Sequence, residues 1–300
     1  MSFSTPVLFL IFNRPDCTAR VFETIRNVRP KRLYIASDGS RKQKIADSEK
    51  VKLVRDIATQ VDWECEVFTL FQEKNLGCKM AVSTGISWFF RHEERGIILE
   101  DDCLPNLDFF KFCEMMLEDY KDDQRIWAIT GDNFQNGITR GEGSYYFSKY
   151  MHVWGWATWR RTWSKYDVEI KFWPNFKRSA EWRRLMNNTK ERNYWNKILD
   201  KVHKGSINTW DYQLSAIIWK NSGLVITPNI NLVKNIGFGI EATHTKTISE
   251  GIDAKPLGAI RLTPSTEHDN TADEYLFRNH YNIRKISFSF LFSKIYSLIK

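Results

Sequence analysis

Five apolar runs alternate with amphipathic stretches over the first 131 residues of the 300-residue chain. An uninterrupted apolar run between turn residues is typical of a strand that is buried on both faces of a parallel sheet. The pattern therefore predicts five strands, in the segments VLFLIF (7–12), RLYIASDGS (32–40), CEVFTLF (65–71), GIILE (96–100) and RIWAITG (125–131).

Between these runs, apolar residues recur at helical spacing and predict helices near residues 16–28, 45–60, 78–90 and 107–120. Alternation of strand and helix predicts an α/β fold, a mostly parallel twisted sheet with helices on both faces. Polar turns follow the strands, which is where open α/β sheets bind ligands. The first strand is followed by neither a P-loop nor a GxGxxG motif, which argues against NTPase and dinucleotide-binding classes.

Beyond residue 140 the chain becomes rich in tryptophan, since nine of its 12 tryptophans lie between Trp154 and Trp219. Aromatic clusters usually form core, although sugars also present apolar C–H faces to aromatic rings. No linker-like segment separates this region from the first, so we expect one continuous unit.

The net charge of +8 and pI near 9.1 favour anionic partners such as phosphorylated substrates or a membrane surface. Nucleic acid is not expected, because the chain has no basic run and no nucleic-acid motif. Five cysteines without a CxxC pair indicate reduced thiols in a cytosolic protein. No signal peptide or bilayer-spanning stretch is predicted.

Three consecutive acids, Glu100, Asp101 and Asp102, come directly after the fourth predicted strand. Adjacent negative charges repel, so a cation is needed to make the arrangement favourable. Carboxylates at a strand end can hold Mg²⁺ or Mn²⁺, with phosphate oxygens completing the coordination. If the extended conformation continued, Glu100 and Asp102 would share one face. A solvated acidic turn is the alternative, and the preceding buried strand favours the metal.

Polar residues also follow the first two predicted strands. Asn13 and Arg14 follow the first, and Asp38 follows the second. Each has an ordinary interpretation as a loop residue or an Asp-Gly turn. Their shared position at the ends of successive strands is what indicates a common site.

Several of these segments resemble the nucleotide-sugar-dependent GT-A glycosyltransferases. The pattern is nearest to the N-acetylglucosaminyltransferase I family, whose acidic metal motif is Glu-Asp-Asp. The order of matching segments is preserved over about residues 6 to 240. The matching segments are VLFLIFNRPDCTARVFETI, ILEDDCLPNLDFFKFCEMML, IWAITGDNFQNG, MHVWGWATW, Trp210-Asp211 and NLVKNIGFG.

The resemblance implies a Rossmann-like GT-A domain over residues 1–282, with a nucleotide-sugar-binding part (1–135) and an acceptor-binding part (136–282). It implies an inverting transfer of an N-acetylhexosamine or hexose from a UDP-sugar to a glycan hydroxyl, with Mn²⁺ or Mg²⁺ as cofactor. No anchor or stem precedes the domain, unlike in the Golgi enzymes, so we expect a bacterial-type relative with a different acceptor.

The same resemblance implies roles for individual residues. Asp102 would ligate the metal, with His244 as a second candidate whose alternative is a structural hydrogen bond. Asp211 would be the general base that an inverting transfer requires, and its alternative is a helix N-cap. The donor-binding residues would be Phe12, Asn13, Arg14, Asp38 (to uracil), Glu100 and Asp101, and the acceptor-binding residues Trp154, Trp156 and Trp210.

The last segment, IRKISFSFLFSKIYSLIK (283–300), combines apolar and basic residues without acids. It is shorter than the ~20 residues of a spanning helix, and such a segment can lie in a membrane interface. The alternative is a final element docked on the core. We therefore expect a cytoplasmic protein, peripheral on the inner face of the cell membrane if the tail binds lipid, with a lipid-linked glycan as one candidate acceptor.

Two other function classes stay open at this point. A metal-dependent phosphohydrolase or nucleotidyltransferase would use the same carboxylates and the same basic surface. A non-catalytic membrane-interacting protein would use only the tail.

Overall fold

The computed structural model describes residues 3–237 and 252–281. His244 and the tail at 283–300 lie outside these residues. The strands are β1 (Val7–Ile11), β2 (Arg32–Ser37), β3 (Glu66–Phe71), β4 (Arg95–Glu100), β5 (Cys103–Pro105), β6 (Ile126–Thr130), β7 (Tyr145–Ser148), β8 (Trp156–Trp159), β9 (Leu224–Pro228) and β10 (Val233–Asn235).

The helices fill the intervals between the strands, and the last one continues into a π-helical turn at Phe277–Tyr281. They are α1 (Pro15–Val28), α2 (Ile45–Ala58), α3 (Cys78–His92), α4 (Leu107–Asp119), α5 (Arg160–Trp163), α6 (Trp173–Phe176), α7 (Ala180–Leu185), α8 (Thr189–His203), α9 (Asp211–Lys220) and α10 (Asn270–Leu276). In the part of the chain that the structure describes, no helix is both long and apolar enough to cross a membrane.

Eight strands form the central sheet in the order β3-β2-β1-β4-β8-β6-β9-β7. The pairs β3–β2, β2–β1, β1–β4 and β6–β9 are parallel, whereas β8 is antiparallel to both of its neighbours and β7 is antiparallel to β9. The predicted α/β fold with a mostly parallel sheet is therefore confirmed, and all five predicted strands belong to this sheet.

The uninterrupted apolar sequence of β1 follows from burial on both sides of the sheet. Val7, Phe9 and Ile11 face one apolar cluster, with α1 and α4, and Leu8 and Leu10 face the other, with α3 and α9. Successive strand side chains point to opposite faces, so a strand covered on both faces requires apolar residues throughout. The tryptophan-rich region supplies a third cluster, around Trp173, Trp182, Trp195 and Trp219.

The predicted fourth strand, GIILE (96–100), is confirmed as β4, and the extended conformation does not continue through the acidic triplet. The strand ends at Glu100, and Asp101 and Asp102 form a turn that leads into β5. The alternation expected of Glu100 and Asp102 therefore does not apply. The short strand β10 pairs with β5, and the Ile236 N–H donates to the Asp102 carbonyl over 2.8 Å. This second, two-stranded sheet brings residues 235–237 next to the acids.

Candidate functional site

A cleft of about 660 Å³ opens at the carboxyl ends of β1, β2 and β4. Ligands bind at this end of open α/β sheets because the chain leaves the strands there in polar turns. Val153 and Trp154, just before β8, and the segment that leads into α9 complete its wall. Nine of the predicted site residues line the cleft: Phe12, Arg14, Asp38, Glu100, Asp101, Asp102, Trp154, Trp210 and Asp211.

The acidic triplet gives the cleft a strongly interacting set of carboxyl groups. Burial raises the pKa of Asp101 to about 7, with a further contribution from Asp102, although the Phe12 N–H donates to its carboxylate over 2.9 Å. Burial also raises the pKa of Glu100 well above its usual range, and Asp102, Asp101 and Asp211 add to the shift. Asp211 therefore lies close enough to the triplet to act on it electrostatically, although it comes more than a hundred residues later in the sequence.

Arg14 provides a positive charge against this cluster. Its guanidinium forms an ion pair with the Asp102 carboxylate, and both side chains are mostly buried, with 17% and 18% of their surface exposed. Gly237 packs against the same pair, where a Cβ atom would collide with both Asp102 and Arg14. Any larger residue at position 237 would have to displace the ion pair of Arg14 and Asp102, which gives a steric reason for the glycine.

The donor groups of the cleft fit a divalent metal that arrives with a phosphate ligand. Among residues 3–237 and 252–281, no group of three or more His, Cys, Asp or Glu side chains is arranged as a metal cage. Mg²⁺ and Mn²⁺ often take only one or two carboxylates, and phosphate oxygens and water supply the rest. Asp102 lines the cleft and provides one such carboxylate. The predicted ligand therefore fits a metal site that the protein and a bound phosphate complete together, rather than a site built by the protein alone.

The Asp38 carboxylate holds the loop that precedes α3. It accepts hydrogen bonds from the N–H groups of Gly39 (2.8 Å), Leu76 (2.8 Å) and Gly77 (3.0 Å), and from Asn75 Nδ2 (2.8 Å). A carboxylate has about four acceptor positions, and all four are used. In this conformation Asp38 shapes the wall of the cleft, and contact with a uracil would require one of these bonds to open.

Asn13 does not line the cleft. Its Nδ2 donates to the Asp47 carboxylate over 3.0 Å, and Asp47 holds the guanidinium of Arg41 through two hydrogen bonds. The Arg41 hydrogen bonds, opposed by burial, lower the pKa of Asp47 to about 2, so this carboxylate stays charged. Arg41 lies over the Phe12 ring at 5.2 Å and does line the cleft.

Asp211 is the first residue of α9 and faces the cleft. The alternative of an N-cap is wrong, because Trp210 occupies the cap position and no side chain caps this helix. The Asp211 carboxylate instead accepts a hydrogen bond from the Thr209 hydroxyl. This hydrogen bond holds the Asp211 carboxylate on the cleft wall.

The three tryptophans predicted to bind the acceptor have different environments. Trp154 is partly exposed and packs edge-to-face on Phe134, while Trp210 is 3% exposed and borders the cleft. Trp156 is fully buried beneath Trp210, with the two rings stacked at 5.7 Å. The prediction that Trp156 contacts the acceptor is wrong, because a fully buried ring has no surface left for a sugar.

Sequence reasoning missed several residues of the cleft wall, among them Arg41, Cys78 and Tyr212. Arg41 follows β2 by four residues, and its position in a strand-end turn was a usable signal. Cys78 begins α3, and burial, Glu100 and Asp211 raise the pKa of its thiol to about 12, so it stays protonated. Tyr212 lies beside Asp211, and nothing in its sequence neighbourhood distinguished it from core.

No family model and no curated protein matches this sequence. Among solved structures it is similar to a UDP-glucose pyrophosphorylase complexed with UDP-glucose, with a TM-score of 0.36 and 12% identity over 75% of this chain and 90% of that chain. It is also similar to mannose-1-phosphate geranyltransferase from Thermus thermophilus (TM-score 0.40, 14% identity, 76% of this chain and 74% of that chain). A third similar structure is mouse xyloside xylosyltransferase 1 (TM-score 0.33, 11% identity, 71% and 80%). Similarities at this level assign no activity, so function is argued from the cleft itself.

Proposed function

We propose that this protein is an inverting glycosyltransferase that moves a hexose or N-acetylhexosamine from a UDP-sugar to a glycan hydroxyl. The observation that carries the proposal is the single cleft wall shared by the acidic triplet, Arg14 and Asp211. The acidic triplet and Arg14 can hold the charged diphosphate with its metal ion, and Asp211 offers a carboxylate for the incoming hydroxyl. The ordered resemblance to the N-acetylglucosaminyltransferase I family points to the same assignment.

In the proposed reaction, Asp211 accepts the proton of the acceptor hydroxyl as its oxygen attacks the anomeric carbon of the donor sugar. The bond from that carbon to the diphosphate breaks, and UDP leaves with the electron pair. Attack opposite to the leaving group inverts the anomeric configuration, so no carboxylate nucleophile is needed. Trp154, which is partly exposed, would orient the acceptor sugar, and Trp210 would support the wall beside it.

Asp102 would hold a Mn²⁺ or Mg²⁺ ion together with the diphosphate, and the ion would supply charge neutralisation for the leaving group. Asp101 and Glu100 line the cleft beside Asp102 and would contact the donor sugar or ribose as hydrogen-bonding groups. Arg14, which lies against Asp102, would contact the diphosphate beside the ion.

The decisive experiment is a panel of nucleotide sugars tested for Mn²⁺-dependent binding and for UDP release. We expect UDP-sugars to bind with metal, and UDP release to rise when a glycan acceptor is added. Release of inorganic phosphate, or of pyrophosphate from a nucleoside triphosphate and a sugar phosphate, would favour the phosphohydrolase or nucleotidyltransferase alternative. An absence of nucleotide binding in every condition would contradict the proposal.

A further inference from the structure

Most of the net charge of the chain lies in one short segment. Residues 171–204, which contain α6, α7 and α8, hold ten lysines and arginines but three acids, in a chain whose formal charge is +8. The rest of the chain is therefore close to neutral. Charge concentrated on one part of a fold indicates an anionic partner at that part.

Three lysines of α8, together with Lys204 directly after it, form a stripe on the side of the helix that faces solvent. At 100° per residue, Lys190, Lys197, Lys201 and Lys204 fall within an arc of about 60°, and all four are exposed. The opposite side of α8 packs into the tryptophan-rich core through Trp195, Leu199 and Val202. The core thus fixes the direction in which the lysines point.

Neighbouring acids do not neutralise this stripe. Glu191 is buried and pairs with Lys149 at 2.8 Å, while Asp200 is taken by Lys177 at 2.6 Å and by the Trp173 indole at 2.9 Å. In the described part of the chain, none of the four stripe lysines forms an ion pair, and Lys204 interacts with Asp200 only through a longer-range charge interaction. Their charges are therefore available to a partner.

Helix α7 continues the positive surface. Arg183 and Arg184 are exposed, and α7 is fastened to α8 by a hydrogen bond of 3.0 Å from Trp182 Nε1 to Asn196 Oδ1. We call the four stripe lysines together with Arg183 and Arg184 the basic face.

In the sequence, the end of the basic face comes just before the segment that lines the cleft. Only two residues separate Lys204 from Ile207, where the segment that lines the cleft begins, and this segment leads to Asp211. Three peptide units span at most about 11 Å. A surface bound to the basic face would therefore be close to the side of the cleft that carries the proposed base.

We propose that the basic face binds the anionic headgroups of a lipid surface and so places the cleft beside a lipid-linked glycan acceptor. The identity of the acceptor rests on the proposed glycosyltransferase function, whereas the lipid binding stands on the surface alone. Lysines spread along a rigid helix match a continuous array of phosphates, each contributing about 1 kcal/mol near an anionic bilayer.

Single-stranded nucleic acid fits this face less well. Binding of unpaired bases uses exposed aromatic rings for stacking, and the large rings of this segment, Trp173, Trp182 and Trp195, are buried. The same burial means that α8 has no apolar side to insert into a bilayer. Binding should therefore be electrostatic, without insertion, and sensitive to salt.

The test is co-sedimentation of the full chain with vesicles of phosphatidylcholine alone and of phosphatidylcholine with phosphatidylglycerol, at low and high salt. The test variant is Lys190→Gln/Lys197→Gln/Lys201→Gln. Its matched control is Lys31→Gln/Lys42→Gln/Lys52→Gln, which removes the same charge from exposed lysines elsewhere. We expect wild type and control to bind anionic vesicles only, and the α8 variant to bind on the order of 100-fold more weakly.

Equal binding by the α8 variant and its control would overturn the proposal, as would an absence of binding to anionic vesicles. Tight binding of the soluble polyanion heparin, without vesicle binding, would assign the basic face to a polyanionic partner instead. UDP binding by the α8 variant should equal that of wild type. If wild type does not bind anionic vesicles, the lipid proposal fails but the proposed glycosyl transfer is unaffected. If wild type does not bind UDP, the proposed glycosyl transfer fails but the lipid-binding result still holds.

Discussion

The guanidinium of Arg14 is paired with the carboxylate of Asp102, and Gly237 closes over both groups. A divalent ion at Asp102 would therefore compete with an arginine that is already in place. Because the donor diphosphate is negatively charged, its arrival would favour the ion and offer Arg14 a new partner. Metal and nucleotide should then bind together rather than in sequence.

Replacing Asp102 by Asn tests the metal assignment. The side chain keeps nearly the same volume but loses its charge, so Mn²⁺-dependent UDP binding should weaken on the order of 100-fold, the scale of one close ion pair. Isothermal titration with UDP, with and without Mn²⁺, measures this effect. Unchanged Mn²⁺ dependence in the variant would remove Asp102 from the metal site.

Replacing Arg14 by Met tests the competition directly. Without the guanidinium, Asp102 should bind Mn²⁺ in the absence of nucleotide roughly tenfold more tightly, while UDP alone should bind more weakly. Electron paramagnetic resonance of free Mn²⁺ reports the first change without any turnover. If the variant binds Mn²⁺ no more tightly than wild type, Arg14 does not compete with the metal for Asp102.

Replacing Asp211 by Asn tests the base. Loss of general-base catalysis should lower turnover by about 10²–10⁴-fold and leave the affinity for UDP unchanged. Asp16→Asn is the control, because Asp16 is also an acid in the first turn of a helix, and it is exposed. If turnover falls only slightly, and by a similar factor, in both variants, Asp211 is not the general base and contributes only a favourable charge at the start of its helix.

Replacing Asp38 by Asn tests the loop anchor. The amide nitrogen cannot accept the bonds that one carboxylate oxygen now receives from Asn75 and Gly77, so the free energy of unfolding should fall by about 1–3 kcal/mol. Urea unfolding measures this, with the exposed Asp122→Asn as control. If stability is unchanged while UDP binding is lost, Asp38 acts on the nucleotide directly.

Asp132 should make stability depend on pH. Burial raises its pKa to about 7, against the opposing hydrogen bonds of Thr130 and the Trp154 N–H. The folded state therefore keeps a proton that the unfolded chain loses near pH 4, and the free energy of unfolding should fall between about pH 4 and pH 7 and level off above.

Asp132→Asn should flatten this slope, because the amide keeps an acceptor and cannot ionise. The expected gain at pH 8 is at most about 4 kcal/mol, from about three pKa units. Urea unfolding of wild type and variant between about pH 5 and pH 8 provides the measurement. Parallel slopes in the two proteins would assign the pH dependence to other groups.

The first half of the fold could be predicted because its determinants are local. The buried residues of β1 and β4 identify themselves by uninterrupted apolar sequence, and strand ends carry the polar residues of the cleft. The environment of Trp156 could not be predicted, because its burial depends on Trp210, which comes much later in the chain. The contacts of Asn13 could not be predicted either. Asn13 bonds to Asp47, which in turn holds Arg41, and these contacts form only when α2 packs on the sheet.

The position of β8 has a consequence for synthesis on the ribosome. Strand β4 receives its second neighbour only when Trp156–Trp159 pairs with Arg95–Ile98, about 60 residues later in the chain. Until then the nascent polypeptide exposes an unpaired, apolar strand edge, which is a template for aggregation. A fragment that ends before residue 156 should therefore depend on chaperones, and we expect that the first half of the chain does not fold stably by itself.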